Sequence, residues 1–173
     1  MAEQIIFVLE TNPRERTDLI YINEVIDQFF GGRRNNDVNY NTVFMNGKGN
    51  YKKTNVLKKI NDFAKAYKPL GKSHVVYCFD TDKFDSDNEA KTFLDTVEEY
   101  CRTNGYEFVW FCHDVEEVFW GHTVNKNEKS EFAKKFTRNN EIKGVDYTKL
   151  CCTKKSKATS NLAKILAKLL PST

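Results

Sequence analysis

One stretch of the chain, residues 75–85, constrains its fold and its chemistry more than any other. It reads Val-Val-Tyr-Cys-Phe and then Asp-Thr-Asp-Lys-Phe-Asp. The apolar run predicts a strand buried on both faces, as in parallel sheets, with Asp80 and Asp82 at the carboxyl edge where such sheets bind ligands. Because residues i and i+2 of an extended chain point to the same side, we expect both acids to converge on one cation. A polar cap that ends the strand is the simpler alternative.

Strand-like and helix-like segments alternate along the chain. Apolar runs predict strands at residues 4–9, 42–45, 75–79 and 106–112. Helical spacing of apolar residues predicts helices at 19–30, 56–67, 93–101 and 113–120, an exposed or appended helix within 125–140, and a final helix at 162–170. This order predicts an α/β fold with a mainly parallel central sheet of about four strands and helices on both faces. We expect one domain over 1–173, with a core at 4–121 and a C-terminal helical extension at 125–173.

Composition sets broad limits on location and partners. The 173 residues are 40% hydrophobic and 29% charged, and the net charge of +3 is too small to diagnose nucleic-acid binding. No apolar run is long enough for a membrane span and no signal peptide is visible, so we expect a cytoplasmic protein without membrane contact. The odd count of five cysteines argues against a disulfide framework, and cysteine and histidine spacing does not suit zinc.

Acidic residues follow two of the predicted strands. Glu10 follows the first, while Asp80 and Asp82 follow the third, and parallel strands bring these ends to one edge. Three neighbouring carboxylates repel each other, and a divalent cation relieves that repulsion. Mg²⁺ (or Mn²⁺) suits a site of few carboxylates, several waters and substrate phosphates. The pattern therefore favours metal-assisted phosphoryl-transfer chemistry.

The same pattern resembles the Toprim domain of topoisomerases, bacterial-type primases and OLD-family nucleases. Within that group the chain is most similar to RloB-like proteins. The residues that carry the resemblance are Val8-Leu9-Glu10 with Thr17, Asp18 and Tyr21; Phe79 to Asp85; Glu116, Glu117 and Trp120; and the tail from Ala158 to Leu166. There are two departures: residues 11–16 replace a small glycine-containing turn, and His113-Asp114-Val115 lacks the proline of the RloB-type pattern.

The resemblance implies roles for matched residues. Glu10 would be the general acid or base, Asp80 and Asp82 would hold Mg²⁺, and Glu116 or Glu117 would supply an additional acid. Basic side chains near these acids or in the tail are predicted phosphate contacts, unless they are simply solvated: Arg14, Arg16, Lys83, Lys154 and Lys155.

Smaller features near the predicted edge have simpler interpretations. The loop from Asn46 to Asn50 is a plain turn or a phosphate cradle. Asp85 and Asp87 are predicted to cap the third helix, and Thr17 to cap the first. His113 is predicted to end the fourth strand rather than to act as a base.

Together these features predict a magnesium-dependent nuclease or phosphotransferase acting on DNA or RNA. A role in defence against mobile elements follows from the resemblance alone, and no tyrosine nucleophile can be assigned for a topoisomerase. A partner protein or a homo-oligomer is compatible with the sequence. The alternatives are non-catalytic: a degenerate Toprim domain, or a receiver-like or flavodoxin-like binding module.

Overall fold

The computed structural model describes residues 2–34 and 37–170 and contains a five-stranded, mostly parallel sheet. Its strands are β1 (Ala2–Leu9), β2 (Val38–Phe44), β3 (Gly71–Asp80), β4 (Glu107–Cys112) and β5 (Thr159–Ser160). The spatial order is β2-β1-β3-β4-β5, and only β5 runs antiparallel to its neighbour. Leu9 pairs with both Phe44 and Cys78, so the first three strands end at the same edge. The α/β fold is thus confirmed, with one more strand than expected.

In residues 2–34 and 37–170, six α-helices connect and cover the strands. They are α1 (Thr17–Phe29), α2 (Thr54–Tyr67), α3 (Asn88–Asn104), α4 (Val115–Trp120), α5 (Lys129–Arg138) and α6 (Leu162–Leu169). Short 3-10 helices occur at Lys48–Asn50, Glu141–Gly144 and Tyr147–Leu150. Within the described part of the chain, no helix is long and apolar enough to cross a membrane. Pro171, the predicted stop of the last helix, lies outside the described residues.

The sheet is buried between two apolar layers, because alternate side chains of each central strand point to opposite faces. On one face, Phe7, Val76 and Phe111 pack against α1, α4, α5 and α6. On the other, Val8, Tyr77 and Trp110 pack against α2 and α3. Asp80 and Val76 lie an even number of positions apart along β3, so their side chains point to the same face of the sheet, the face covered by α1.

Two boundaries differ from the prediction. β2 begins at Val38, before the predicted strand at 42–45, because pairing with β1 overrides the low strand propensity of its asparagines. β3 likewise begins at Gly71, before the predicted strand at 75–79, and Gly71 pairs there with Ala2. A Cβ at Gly71 would lie 1.8 Å from the carbonyl oxygen of Ala2, so only glycine fits.

The C-terminal third is built into the apolar layer on the α1 face. Ala133 and Phe136 of α5 are fully buried, and the Phe136 ring lies 5.0 Å from that of Tyr21 in α1. One face of α5 is therefore packed into the core, and the expectation of an exposed helix was wrong. β5, which was not predicted, pairs with the end of β4. The Asn161 side chain continues that pairing, since its amide accepts from the Trp110 N–H and donates to the Phe108 carbonyl.

Candidate active site at the carboxyl edge of the sheet

A cleft of about 900 Å³ opens at the carboxyl edge of the sheet, on the α1 face. Five carboxylates line it. One of them, Glu15, is exposed in the loop between β1 and α1, and the other four are contributed by the end of β1, the first turn of α1, the end of β3 and the first turn of α4. We refer to these four as the cleft acids: Glu10, Asp18, Asp80 and Glu116. The sheet topology thus brings Glu10 and Asp80 together, as the sequence predicted, and adds Asp18, for which the sequence analysis assigned no role.

Backbone N–H groups fix the two central cleft acids. The Asp80 N–H donates to Glu10 Oε1 (2.8 Å), and the Val115 N–H, at the start of α4, donates to Asp80 Oδ1 (3.0 Å). The other oxygens, Glu10 Oε2 and Asp80 Oδ2, accept no hydrogen bond from any described residue. Each carboxylate is therefore held by one oxygen and has the second available to a ligand.

The remaining two cleft acids are more deeply enclosed. Asp18 Oδ1 accepts from the Thr11 hydroxyl (2.6 Å) and from the Leu19 N–H (3.0 Å). Glu116 is fully buried, and its Oε2 accepts from Lys129 Nζ (2.7 Å). Glu116 Oε1 is buried and has no partner among the described residues. A buried carboxylate oxygen without a partner is costly, so this atom marks where a cation or a proton donor would be stabilised.

Burial and mutual repulsion raise the pKa values of all four cleft acids. Burial raises the pKa of Glu10 to about 8, and the nearby charge of Asp82 adds to the rise. Burial likewise raises the pKa of Asp18 to about 6, although the hydrogen bond from Thr11 opposes it. The pKa of Asp80 is raised well above its usual value by burial and by Glu10, and burial raises that of Glu116 against the opposing effect of Lys129. The cleft therefore retains protons at pH values where exposed carboxylates lose them.

Asp82 does not share the environment of Asp80. β3 ends at Asp80, and Asp82 takes a left-handed backbone conformation with φ 49°. Its N–H donates to the His113 carbonyl (2.9 Å), and its carboxylate forms an ion pair with Lys48. The Lys48 ammonium lies 5.5 Å from the centre of the Phe93 ring, on the α3 side. The alternation of an extended strand therefore stops before Asp82, whose carboxylate pairs with Lys48 although its charge still raises the pKa of Glu10.

Two more acids lie outside the cleft and share one histidine. His113 Nε2 is 2.9 Å from Asp85 Oδ2, and its Nδ1 is 2.9 Å from Glu117 Oε2. Both contacts raise the pKa of His113, with the Asp85 hydrogen bond contributing most. We call Asp82, Asp85 and Glu117 the outer acids. Glu117 is thus a partner of His113 and not a cleft acid, and Asp85 is not the helix cap it was expected to be.

The other predicted residues separate into structural and exposed groups. Asp87 is the cap of α3, since its carboxylate accepts from the N–H groups of Glu89 and Ala90. Thr17 is the first helical residue of α1, which Arg16 precedes without a side-chain cap. The loop after β2 is a turn whose Gly47 N–H donates to the Glu10 carbonyl (2.8 Å), so this donor is not available to a phosphate.

Most of the predicted phosphate contacts are exposed. Arg14, Arg16, Lys83 and Lys154 are open to solvent, and the first two lie in the loop between β1 and α1. Lys155 is held by Glu98 (3.0 Å) and packs over the Trp110 ring. None of the five lines the cleft. The basic side chains that do are Lys126 and Lys129, which sequence reasoning missed because they lie in a polar segment without a motif.

No three acidic, histidine or cysteine side chains in residues 2–34 and 37–170 are arranged closely enough to hold a metal ion by themselves. Two carboxylates, completed by water and by substrate oxygens, are therefore the most that the cleft offers to one cation as it stands. Comparisons with known protein families, with curated proteins and with solved structures give no match to this chain. Any function must accordingly be argued from the cleft itself.

Proposed function

We propose that the chain is a Toprim-like, magnesium-dependent nuclease or phosphotransferase that acts on nucleic acid. The observation that carries the proposal is the arrangement of the Glu10 and Asp80 carboxylates. One oxygen of each accepts a hydrogen bond from a backbone N–H, and the second oxygen has no partner among the described residues. They lie side by side at the carboxyl edge of a parallel sheet, in an open cleft. This is the edge at which open α/β sheets bind substrates.

The side chains present fit a divalent cation such as Mg²⁺ or Mn²⁺. Mg²⁺ is commonly held by one or two carboxylates together with water and substrate phosphates, so Glu10 and Asp80 suffice as protein ligands. Glu116 lines the same cleft and its buried Oε1 has no partner among the described residues, but the three carboxylates are not arranged closely enough to hold one cation together as they stand. When bound, the metal would neutralise phosphate charge and lower the pKa of a coordinated water. Asp82 could join only after separating from Lys48.

Glu10 has the properties of a proton-transfer group. In the metal-free chain its pKa of about 8, raised chiefly by burial, lies close to neutral pH, where a general acid or base is most effective. A cation bound directly to Glu10 would lower that pKa, so Glu10 would transfer protons when Asp80 holds the cation. Oε1 is fixed by the Asp80 N–H, so Oε2 is the atom at which a proton would be gained or lost. The exposed side chains of Arg14, Arg16 and Lys83 would contact phosphates farther along a nucleic-acid strand. A cytoplasmic location and a role in defence belong to the same proposal.

A second candidate is a degenerate domain of this type that binds a partner without catalysis. The observation in its favour is that lysine ammonium groups already neutralise two of the acids, Lys48 at Asp82 and Lys129 at Glu116. In that case internal cations take the place of metal ions. Such a protein would be an interaction subunit within a hetero-complex or a homo-oligomer.

Cleavage of labelled DNA and RNA in the presence of Mg²⁺ or Mn²⁺ separates the two candidates. We expect the wild-type chain to cut at least one of them, and Glu10→Gln and Asp80→Asn to reduce the rate by roughly 100-fold or more. Asp62→Asn, which removes an exposed acid of α2, is the control for lost charge. If the wild type neither cuts nor binds either metal, the nuclease proposal fails and the binding module remains.

A further inference from the structure

The cleft is also lined by a segment with basic side chains, contributed by the start of α5. Lys126, Asn127, Lys129 and Ser130 line the same cleft as Glu10 and Asp80. We call residues 126–130 the α5 turn. It comes from the C-terminal extension and lies more than a hundred residues from Glu10 in the sequence, so only the fold brings the two together. The cleft therefore has an acidic side and a basic side.

The α5 turn has hydrogen-bond donors that the protein does not use. Glu128 precedes the helix without capping it, since its carboxylate accepts instead from the Asn125 side chain (2.6 Å). The N–H groups of Lys129, Ser130 and Glu131 donate to no described residue. Unpaired N–H groups and the helix dipole make the N-terminus of a ten-residue helix favourable for an anion.

The two lysines of the α5 turn have different environments. Lys129 is already ion-paired, because its ammonium lies 2.7 Å from Glu116 Oε2 and 3.1 Å from Asp114 Oδ2. Lys126 is exposed at the cleft and forms no ion pair with any described residue. Its charge is therefore available to a ligand, whereas that of Lys129 chiefly orients Glu116.

An independent observation indicates that a ligand belongs in this cleft. Glu116 lines the cleft, and its Oε1 is buried without a partner among the described residues. That oxygen requires a cation or a donor, while the α5 turn beside it offers donors that require an anion. A phosphate group accompanied by a divalent cation satisfies both sides at once.

We propose that the α5 turn is the phosphate-binding subsite of the cleft. Lys126 and the N–H groups of Lys129 and Ser130 would receive the non-bridging oxygens of a phosphate ester, with its cation on the side of the cleft acids. The inference rests on the proposed function for the identity of that ester, a phosphodiester of DNA or RNA. It assigns the phosphate inside the cleft to the C-terminal extension, while the exposed arginines near Glu10 would contact phosphates farther along the strand.

Titration calorimetry on the full chain tests the subsite. The probes are inorganic phosphate and a short single-stranded oligonucleotide, each with and without Ca²⁺ at low salt. We expect Lys126→Met to weaken oligonucleotide binding by roughly 5-fold to 10-fold. Lys134→Met, which removes an exposed lysine of the same helix outside the cleft, is the matched control and should change binding by less than about 2-fold.

A second pair of variants tests the backbone donors. Ser130→Pro removes one N–H in the first turn of α5, where proline is tolerated, and Ser130→Ala removes only the hydroxyl. We expect Ser130→Pro to weaken binding of the probes by roughly 5-fold more than Ser130→Ala does. Circular dichroism and thermal melting establish that both variants are folded. Equal binding by both variants, or equal effects of Lys126→Met and Lys134→Met, would overturn the subsite.

The same calorimetry distinguishes failure of the subsite from failure of the proposed function. If Asp80→Asn abolishes Mn²⁺ binding while Lys126→Met leaves phosphate and oligonucleotide binding unchanged, the subsite is wrong and the metal site stands. If Lys126→Met weakens binding but no metal binds at the cleft acids, the subsite stands and the metal-dependent function is wrong. Binding of inorganic phosphate as tight as that of the oligonucleotide would identify a free-phosphate site instead.

Discussion

The cleft acids and the outer acids lie within one short stretch of the sheet edge, yet their charges are balanced differently. Each outer acid has a basic partner within the protein: Lys48 for Asp82, and His113 for both Asp85 and Glu117. Among the described residues, Glu116 is the only one of the four cleft acids with such a partner, Lys129, and that pair leaves one oxygen of Glu116 unsatisfied. The outer acids are therefore structural partners, while the cleft concentrates negative charge that a ligand could neutralise.

The difference between Asp80 and Asp82 shows how sharply the end of a strand divides these two regions. Asp80 is the last residue of β3 and keeps the orientation of the strand, with its carboxylate on the α1 face. Two residues later the chain is left-handed, and Asp82 pairs with a lysine that packs over an aromatic ring of α3. A spacing of two residues brings side chains together only while both remain in the strand.

Breaking the buried pair between Lys129 and Glu116 should have the largest effect on stability. Lys129→Met leaves the fully buried Glu116 without its cation, and we expect the free energy of unfolding to fall by about 3 kcal/mol. Urea denaturation measures this change. Adding Glu116→Gln to Lys129→Met should restore a large part of the loss, because the uncompensated charge is removed. A loss below about 1 kcal/mol in the single variant would show that Glu116 is not held as a charged group.

The next largest effect should be a difference in metal affinity between variants of Asp80 and Asp82. We expect Asp80→Asn to weaken Mn²⁺ binding by about 100-fold, equivalent to about 2.7 kcal/mol, because it removes one of the two central ligands. Asp82→Asn should weaken binding by less than about 10-fold, since Asp82 is paired with Lys48 outside the cleft. Calorimetric titration of both variants measures the ratio. Equal losses would break the comparison and show that Lys48 releases Asp82 when a metal binds.

The raised pKa values of the cleft acids predict a specific pH dependence of stability. The pKa of Glu10 rises from 4.5 in the unfolded chain to about 8 in the fold, so the folded protein binds more protons between these values. The free energy of unfolding should therefore fall as pH rises from about 4.5 to about 8 in the absence of divalent cations. Asp18, with a pKa of about 6, contributes in the same direction over the lower part of that range.

Replacing Glu10 should remove much of that dependence. Glu10→Gln retains an oxygen that can accept from the Asp80 N–H, and we expect it to stabilise the metal-free protein at pH 8 by about 2 kcal/mol. Thermal melting between pH 5 and pH 8, with Asp62→Asn as the control for lost charge, measures the effect. A wild-type melting temperature that rises with pH over this range would contradict the assignment.

The smallest effect is expected from the exposed ion pair of the outer acids. About 40% of the Lys48 side chain and 46% of the Asp82 side chain are accessible to solvent. Solvent screens such pairs, so Lys48→Met should change the free energy of unfolding by less than about 1 kcal/mol. The same urea measurement, set beside Lys129→Met, compares the two lysines directly. A loss of the size expected for Lys129→Met would place Asp82 in a buried network.

The sequence predicted the parts of this fold that depend on local pattern. Apolar runs identified the four parallel strands, and their alternation with amphipathic helices identified the parallel sheet. Because the carboxyl ends of parallel strands share an edge, Glu10 and Asp80 could be placed together without a structure. Asp87 was also recognisable as a helix cap, since an acid that precedes an amphipathic helix commonly caps it.

What the sequence could not predict depends on contacts between distant segments. Lys129 lies in a polar stretch whose periodicity suggested an exposed helix, and only the burial of Ala133 and Phe136 orients it toward Glu116. β5 has two residues, too few for a strand pattern. The left-handed turn at Asp82 follows from hydrogen bonds of the Thr81 and Asp82 N–H groups to the end of β4, which no local signal encodes.

The unequal borders of the sheet have a consequence for association between copies of the chain. Thr159, Ser160 and Asn161 cover the β4 border, whereas β2 has no further strand beside it in the described part of the chain. β5 has two residues and β2 has seven, so the β2 border is the longer template for pairing with a strand of another molecule. Strand addition to this sheet is therefore expected at β2 and not at β5, whose short edge offers few backbone groups.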